Sequence, residues 1–158
     1  LPVLNQVFPD ATVIFTHRDP VAVIQSTATM QAYSQRTGRR RVDTAALIDY
    51  WSDRIEHLLR AWVRDRSLVP MERSFDSPFD VFMTDEMATL EQVYRVAGLE
   101  LTDEARRQLQ AYIDGHPRGK DGRVVYNLRR DFATDPDRLR ERYRFYFDRF
   151  PVRAETKS

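Results

Sequence analysis

A short run of β-branched and aromatic residues, Ala11 to Thr16 (ATVIFT), passes straight into His17-Arg18-Asp19-Pro20. Pro9-Asp10 sets it off on one side and charged residues on the other. A short continuous apolar run bounded in this way is the pattern of a strand buried on both faces of a parallel sheet. Asp19 is a good helix cap, and Pro20 suits the first helical position, where a missing N–H costs nothing. The helix then runs through VAVIQSTATMQAYSQ to about Gly38. Strand, polar turn and capped helix make half of a βαβ unit, which points to an α/β fold.

The remainder reads as mostly helical, with few strands. Thr37 to Arg41 (TGRRR) is a basic loop, and Asp43 caps a helix over about Thr44 to Asp65, with Leu47, Trp51, Ile55, Leu58 and Trp62 forming one apolar stripe. After a loop bracketed by Pro70 and Pro78, Phe79 to Met83 (FDVFM) is the second strand candidate. Thr84 caps the next helix, with Asp85 and Glu86 in its first turn, and Gly98 stops it. Thr102 repeats the device for a helix ending near Gly115. A last helix starts at Asp135-Pro136 and sets Leu139, Tyr143, Tyr146/Phe147 and Phe150 on one face, a periodicity that says core. Two strands are too few for a complete α/β sheet. The opening residues Leu1, Leu4 and Val7/Phe8 have helical spacing and run into Pro9-Asp10, as the last turn of a helix already under way would. The expectation is therefore a fragment that starts mid-domain. An uncovered sheet edge in such a fragment favours association, so a homo-oligomer is expected.

Composition narrows the function. A chain of 158 residues with 42% hydrophobic content can bury a core of its own, unlike a disordered tail. Its 25 Lys and Arg against 24 Asp and Glu leave a formal charge of +1, so no global field draws it to nucleic acid or anionic membrane, and any anion must be met locally. With no cysteine and only His17, His57 and His116 as histidines, thiolate chemistry, disulfides and a Cys- or His-built metal site are excluded or disfavoured. The lack of cysteine fits a reducing compartment, and a cytoplasmic location is expected. No apolar run approaches the ~20 residues of a membrane span.

Two stretches can carry chemistry. Arg18 stands at the carboxyl end of the first strand and Ser26 lies eight residues further on, roughly 9 Å along the helix from Pro20. Ligands of open α/β sheets bind beyond the carboxyl ends of strands, and a guanidinium is a fixed fork suited to phosphate or sulfate. The plainer alternative pairs Arg18 with Asp19 or a helix carboxylate and leaves Ser26 as a small packing residue. The second stretch, Gly115 to Gly122 (GHPRGKDG), holds Arg118, Gly119 and Lys120, with Arg123 behind. Glycines let amides approach an anion and basic side chains complete a cradle, while a solvated basic loop is the plainer alternative. The G-x-x-x-x-G-K-[ST] phosphate loop is absent from the chain. His17, beside Arg18, is either a hydrogen-bonded structural residue or a proton shuttle.

Taken together, FPDATVIFTHRDPVAVIQS and HPRGKDGRVVYNLRRDF resemble the cofactor-binding segments of sulfotransferases, in particular a bacterial branch of that family. The resemblance implies a partial P-loop NTPase-like α/β domain, residues 1–158 being the C-terminal part of a single such domain. It implies transfer of a sulfuryl group from 3′-phosphoadenosine 5′-phosphosulfate to an acceptor hydroxyl or amine on a small molecule, glycan or lipid, with no metal. It further implies that Arg18 and Ser26 hold the 3′-phosphate of that cofactor. The family's Arg-Lys-Gly motif corresponds to the loop in which this chain has the order Arg118-Gly119-Lys120, so these residues are the expected second contact. The loop around the 5′-phosphosulfate and the general base are expected to precede Leu1. Phe82 or Met83 are possible members of an adenine shelf. Beside the enzyme stand two other readings, a non-catalytic nucleotide- or anion-binding module and a helical interaction module whose basic loops are merely solvated.

Overall fold

A computed structural model of the chain describes residues 1–117, 119, 120, 122 and 125–156. The chain divides into two compact units, one of Leu1–His17 with Asp65–Val124 and the other of Arg18–Arg64 with Val125–Ser158.

The first unit opens on α1 (Pro2–Val7) and β1 (Val13–His17). After the chain has run through the other unit it returns to β2 (Ser74–Pro78), which pairs parallel to β1 in the register Val13↔Ser74 to His17↔Pro78. These are the two strands among the described residues. Along β1, Phe15 and His17 are buried and Thr16 is exposed, so burial alternates instead of covering both faces as expected.

The second strand is not the apolar FDVFM but the polar SFDSP just before it. Phe79–Phe82 is instead one helical turn, α4, closed by the Met83 amide on the Phe79 carbonyl at 2.9 Å. Strand propensity is overridden by context here: Ser74 and Ser77 are the buried positions of β2, and Ser74 and Asp76 have polar partners waiting for them. Phe82 and Met83 thus stand on α4 and its cap.

Helix α5 (Glu86–Val96) is capped by Asp85, whose side chain accepts the Ala88 amide at 2.9 Å, one residue after the expected Thr84. It ends in a Schellman motif, with Leu99 N–H on Tyr94 at 3.0 Å and Gly98 N–H on Arg95 at 3.1 Å. That motif needs the left-handed φ of +66° that Gly98 supplies. Thr102 caps α6 (Asp103–Gly115), as its sequence signature predicts.

In the second unit, α2 (Pro20–Arg36) and α3 (Thr44–Asp65) are joined by α7 (Leu128–Phe132), α8 (Pro136–Arg142) and α9 (Arg144–Phe147). Val21, Ile24, Ala28 and Ala32 recur at helical spacing on α2 and pack with Ile48, Leu128, Phe132, Leu139 and Tyr143 into one core. On α3 the expected Leu47, Trp51 and Ile55 pack on this core together with Ile48 and Leu59, and Leu58 is exposed. A 3.6-residue repeat counted from Ile48 brings Leu59, not Leu58, to the core side. The expected last helix is broken in two at Tyr143, yet Leu139, Tyr143, Tyr146 and Phe150 are all buried, as the periodicity requires.

Candidate functional site

The turn after β1 is built around Asp19, which is completely buried. One carboxylate oxygen, Oδ1, accepts the Val21 amide at 2.8 Å and so caps α2. The other, Oδ2, accepts the Glu155 amide at 2.8 Å from the segment that follows α9. Thr156 adds two longer contacts to the same oxygen, through its amide and its hydroxyl, each at 3.4 Å. Arg140 of α8 holds this segment from the other side, donating through Nη2 to the Thr156 carbonyl at 2.7 Å and to its hydroxyl at 2.9 Å.

This scaffold delivers Glu155 to Arg18. The guanidinium donates through Nε to Oε1 and through Nη2 to Oε2, both at 2.8 Å, the fork geometry by which arginine takes an oxyanion. The hydrogen bonding to Glu155 raises the Arg18 pKa above its ordinary value against a smaller opposing effect of burial. Arg18 is therefore a permanent cation. Its side chain keeps 39% of its surface open to solvent and that of Glu155 keeps 25%. The plainer alternative for Arg18, a carboxylate partner, is thus realised by Glu155, and the Asp19 charge acts on the guanidinium as well.

Ser26 lies half-buried on α2, next in sequence to the buried Gln25. Its hydroxyl is 3.4 Å from that of Tyr126. The same tyrosine is near enough to Arg18 to act on its charge. Arg18, Ser26, Tyr126 and Glu155 thus share one neighbourhood of the second unit, containing a fixed cation, two hydroxyls and a carboxylate. Tyr126 and Glu155 had no signal in the sequence. Each is a single residue brought in from a hundred or more positions away.

Gly119 and Lys120 belong to the first unit, where they line a shallow pocket of about 180 Å³ with His116, Pro117 and Gly122. Gly119 has φ of +83°, a value that an L side chain resists. The Lys120 amide closes a turn on the Pro117 carbonyl at 3.1 Å and its ammonium donates to the Gly115 carbonyl at 2.9 Å. Arg118 lies outside the described residues.

His17 is buried and donates through Nε2 to Asp76 at 2.8 Å, which is the arrangement of a hydrogen-bonded structural residue. His57 and His116 are exposed and bond to carbonyls of their own helices. Among the described residues no group of three or more His, Asp or Glu side chains converges on a possible metal position, and no helix is long and apolar enough to cross a membrane.

The model of the sulfotransferase family matches residues 1–103. Sulfotransferase STF9 from Mycobacterium avium superimposes with a TM-score of 0.84 at 23% identity, over 99% of this chain and 40% of its own. Sulfotransferase STF1 from Mycobacterium tuberculosis does so with a TM-score of 0.68 at 20% identity, over 90% of this chain and 35% of its own. No curated protein matches. The chain therefore spans well under half the length of these two structures. Its mostly helical α/β architecture with two parallel strands is that of sulfotransferases, a P-loop NTPase-like fold. By the family match over residues 1–103, the chain belongs to the sulfotransferase family.

Proposed function

We propose that residues 1–158 are the C-terminal part of a single sulfotransferase domain and carry the 3′-phosphate half of its cofactor site. The intact enzyme transfers a sulfuryl group from 3′-phosphoadenosine 5′-phosphosulfate to an acceptor hydroxyl or amine of a small molecule, glycan or lipid. The observation that carries this reading is the Arg18 fork, which already holds a two-oxygen anion through two 2.8 Å bonds at the carboxyl end of β1. A phosphate presents oxygens of the same spacing with more charge.

Arg18 supplies the permanent positive charge, and the Ser26 and Tyr126 hydroxyls add donors that rotate to suit an oxyanion. The chemistry itself is the cofactor's: a sulfuryl group on an activated phosphate leaving group. What these residues do is bind and orient. Holding the 3′-phosphate fixes the distal end of the nucleotide, and positioning of this kind can account for a large part of the barrier lowering in group transfer. Arg118, Gly119 and Lys120 are the second proposed contact with the 3′-phosphate. A cytoplasmic setting is proposed on the absence of cysteine.

The test is calorimetric titration of the chain with adenosine 3′,5′-bisphosphate, with adenosine 5′-monophosphate as control. Binding should require the 3′-phosphate. Arg18→Ala should weaken it by about 10- to 150-fold, the worth of a charge-assisted contact of ~1.5–3 kcal/mol. Equal binding of the two nucleotides, or an Arg18→Ala variant as tight as the parent, overturns the reading, and a folded chain that binds neither nucleotide favours the solvated interaction module.

A further inference from the structure

Glu155 sits where the proposed ligand would sit. Its carboxylate takes both donor positions on the Arg18 fork, Nε and Nη2, so no second oxyanion can use that face of the guanidinium while Glu155 holds it. The contact is not a chance meeting of two long surface side chains. The backbone on either side of the glutamate carbonyl carbon is fastened: the Glu155 and Thr156 amides point at buried Asp19, and Arg140 holds the Thr156 carbonyl and hydroxyl. The residue that caps the helix bearing Ser26 is thus the one that registers Glu155 against Arg18. The glutamate side chain itself has Arg18 as its only charged partner among the ion pairs of the described residues.

We propose that Glu155 is an internal competitor for the anion site, a tethered carboxylate that occupies Arg18 until a phosphate displaces it. This rests on the phosphate reading of Arg18 and adds a regulation of that same site. Two features set the balance. Tethering gives the carboxylate a high effective concentration at Arg18. Yet the pair is part-exposed, and such pairs are weak, so a phosphate of greater charge that also reaches Ser26 and Tyr126 can replace it. The segment can stay anchored on Asp19 and Arg140 while only the glutamate side chain swings aside. The apparent affinity for the nucleotide is then reduced by the fraction of time that Arg18 is open.

Adenosine 3′,5′-bisphosphate is titrated, by NMR into the millimolar range, against the parent chain, Glu155→Gln, Arg18→Ala and the double variant, with circular dichroism confirming that each is folded. Glu155→Gln should tighten binding about 3- to 10-fold, and the gain should vanish in the Arg18→Ala background, because the competition runs through that one guanidinium. Glu155→Ala should match Glu155→Gln. If the parent binds in an Arg18-dependent manner and Glu155→Gln binds no tighter, the competitor is overturned and the phosphate reading stands. A gain of the same size with and without Arg18 shows only the removal of a nearby negative charge and likewise overturns it. If neither the parent nor Glu155→Gln binds the bisphosphate, the phosphate reading falls and takes this inference with it.

Discussion

Arg66 clasps Asp76 with Nε donating to both carboxylate oxygens at 3.0 Å and Nη2 donating to Oδ2 at 2.7 Å. Arg66 is buried, its guanidinium lies over the Phe15 ring at 4.7 Å, and it also donates to the Val69 carbonyl at 2.8 Å and the Ser74 hydroxyl at 2.9 Å. His17, at the end of β1, bonds Oδ1 of the same carboxylate at 2.8 Å. This network gives the polar side chains of β2 their partners. It joins the ends of the two parallel strands to the 3₁₀ turn Arg66–Leu68.

Removing Arg66 leaves Asp76 with His17 alone as a side-chain donor and takes the guanidinium from the buried Ser74 hydroxyl and the Val69 carbonyl. Breaking a buried pair from one side costs about 3–5 kcal/mol. Arg66→Leu should lower the unfolding free energy by an amount of that order, read as a lower urea midpoint with an unchanged m-value. Arg66→Lys should rescue little, because an ammonium is a point donor and cannot span both carboxylate oxygens and the Val69 carbonyl. A loss below about 1 kcal/mol in Arg66→Leu would mean that the strand pair stands without this network.

Asp76 also sets an acid limb. Burial pushes its carboxyl up, but the hydrogen bonds from Arg66 and His17, with their charges, outweigh that and hold it below its ordinary value. A carboxylate depressed in the folded state contributes stability at pH above the unfolded value of about 3.9. That contribution is lost as pH falls through the lower folded value. Stability should therefore decline on acidification below about pH 4. Asp76→Asn should start less stable at pH 7 and show a shallower decline. An Asp76→Asn profile parallel to that of the parent would assign the acid limb to other carboxylates.

The parts of this molecule that were legible in the sequence are those specified by neighbours along the chain. Asp19-Pro20 marks the start of α2, Thr102 the start of α6 and Gly98 the end of α5, because a cap acts within a turn or two of its own position. The 3.6-residue repeat likewise located α3 and the aromatic core residues near its end of the chain. Arg18 and Ser26 were singled out because the end of a strand and a following helix make a local frame for an anion. By contrast β2 was placed too late, since SFDSP has no strand pattern of its own and is chosen by the Arg66–Asp76–His17 network. Helix α7, introduced by the Asn127 cap, is a single short turn of helix with Leu128 and Phe132 as its core contacts, too short to show a period. Glu155 and Tyr126 meet Arg18 and Ser26 across sequence separations of 137 and 100. No local rule reports such a pair.

Asp19 should be sensitive to more than the loss of a cap. Its two oxygens serve different segments, Oδ1 the Val21 amide and Oδ2 the Glu155 amide. Asp19→Ser keeps an acceptor for the helix but has no second oxygen for the segment, whereas Asp19→Ala removes both. Loss of a cap costs about 0.5–2 kcal/mol, so Asp19→Ala should be the less stable by about that margin. Hydrogen exchange at the Glu155 amide should quicken in both variants. An Asp19→Ser chain with a protected Glu155 amide would show that Arg140 alone fastens the segment.

Tyr143 supplies the opposite pH limb. It is fully buried at the break between α8 and α9, and its hydroxyl donates to the Ser52 carbonyl on α3 at 2.6 Å. Burial pushes its pKa from the ordinary 10.0 up to about 12, because the phenolate has no access to water there. With the folded value above the unfolded one, the neutral side chain contributes stability that is fully present below about pH 10. That contribution is lost as pH rises through the folded value of about 12. Unfolding at high pH should release a proton, and ΔG should fall steeply between those two values. Tyr143→Phe loses the hydrogen bond to Ser52, a cost of about 0.5–1.5 kcal/mol at neutral pH, but keeps the ring in the core. It should unfold with a flatter alkaline limb, so the gap between parent and variant should close as pH rises. Measured as urea midpoints from pH 8 to 12, curves that stay parallel would show that Tyr143 does not govern alkaline unfolding and that the phenol ionises only after the core has opened.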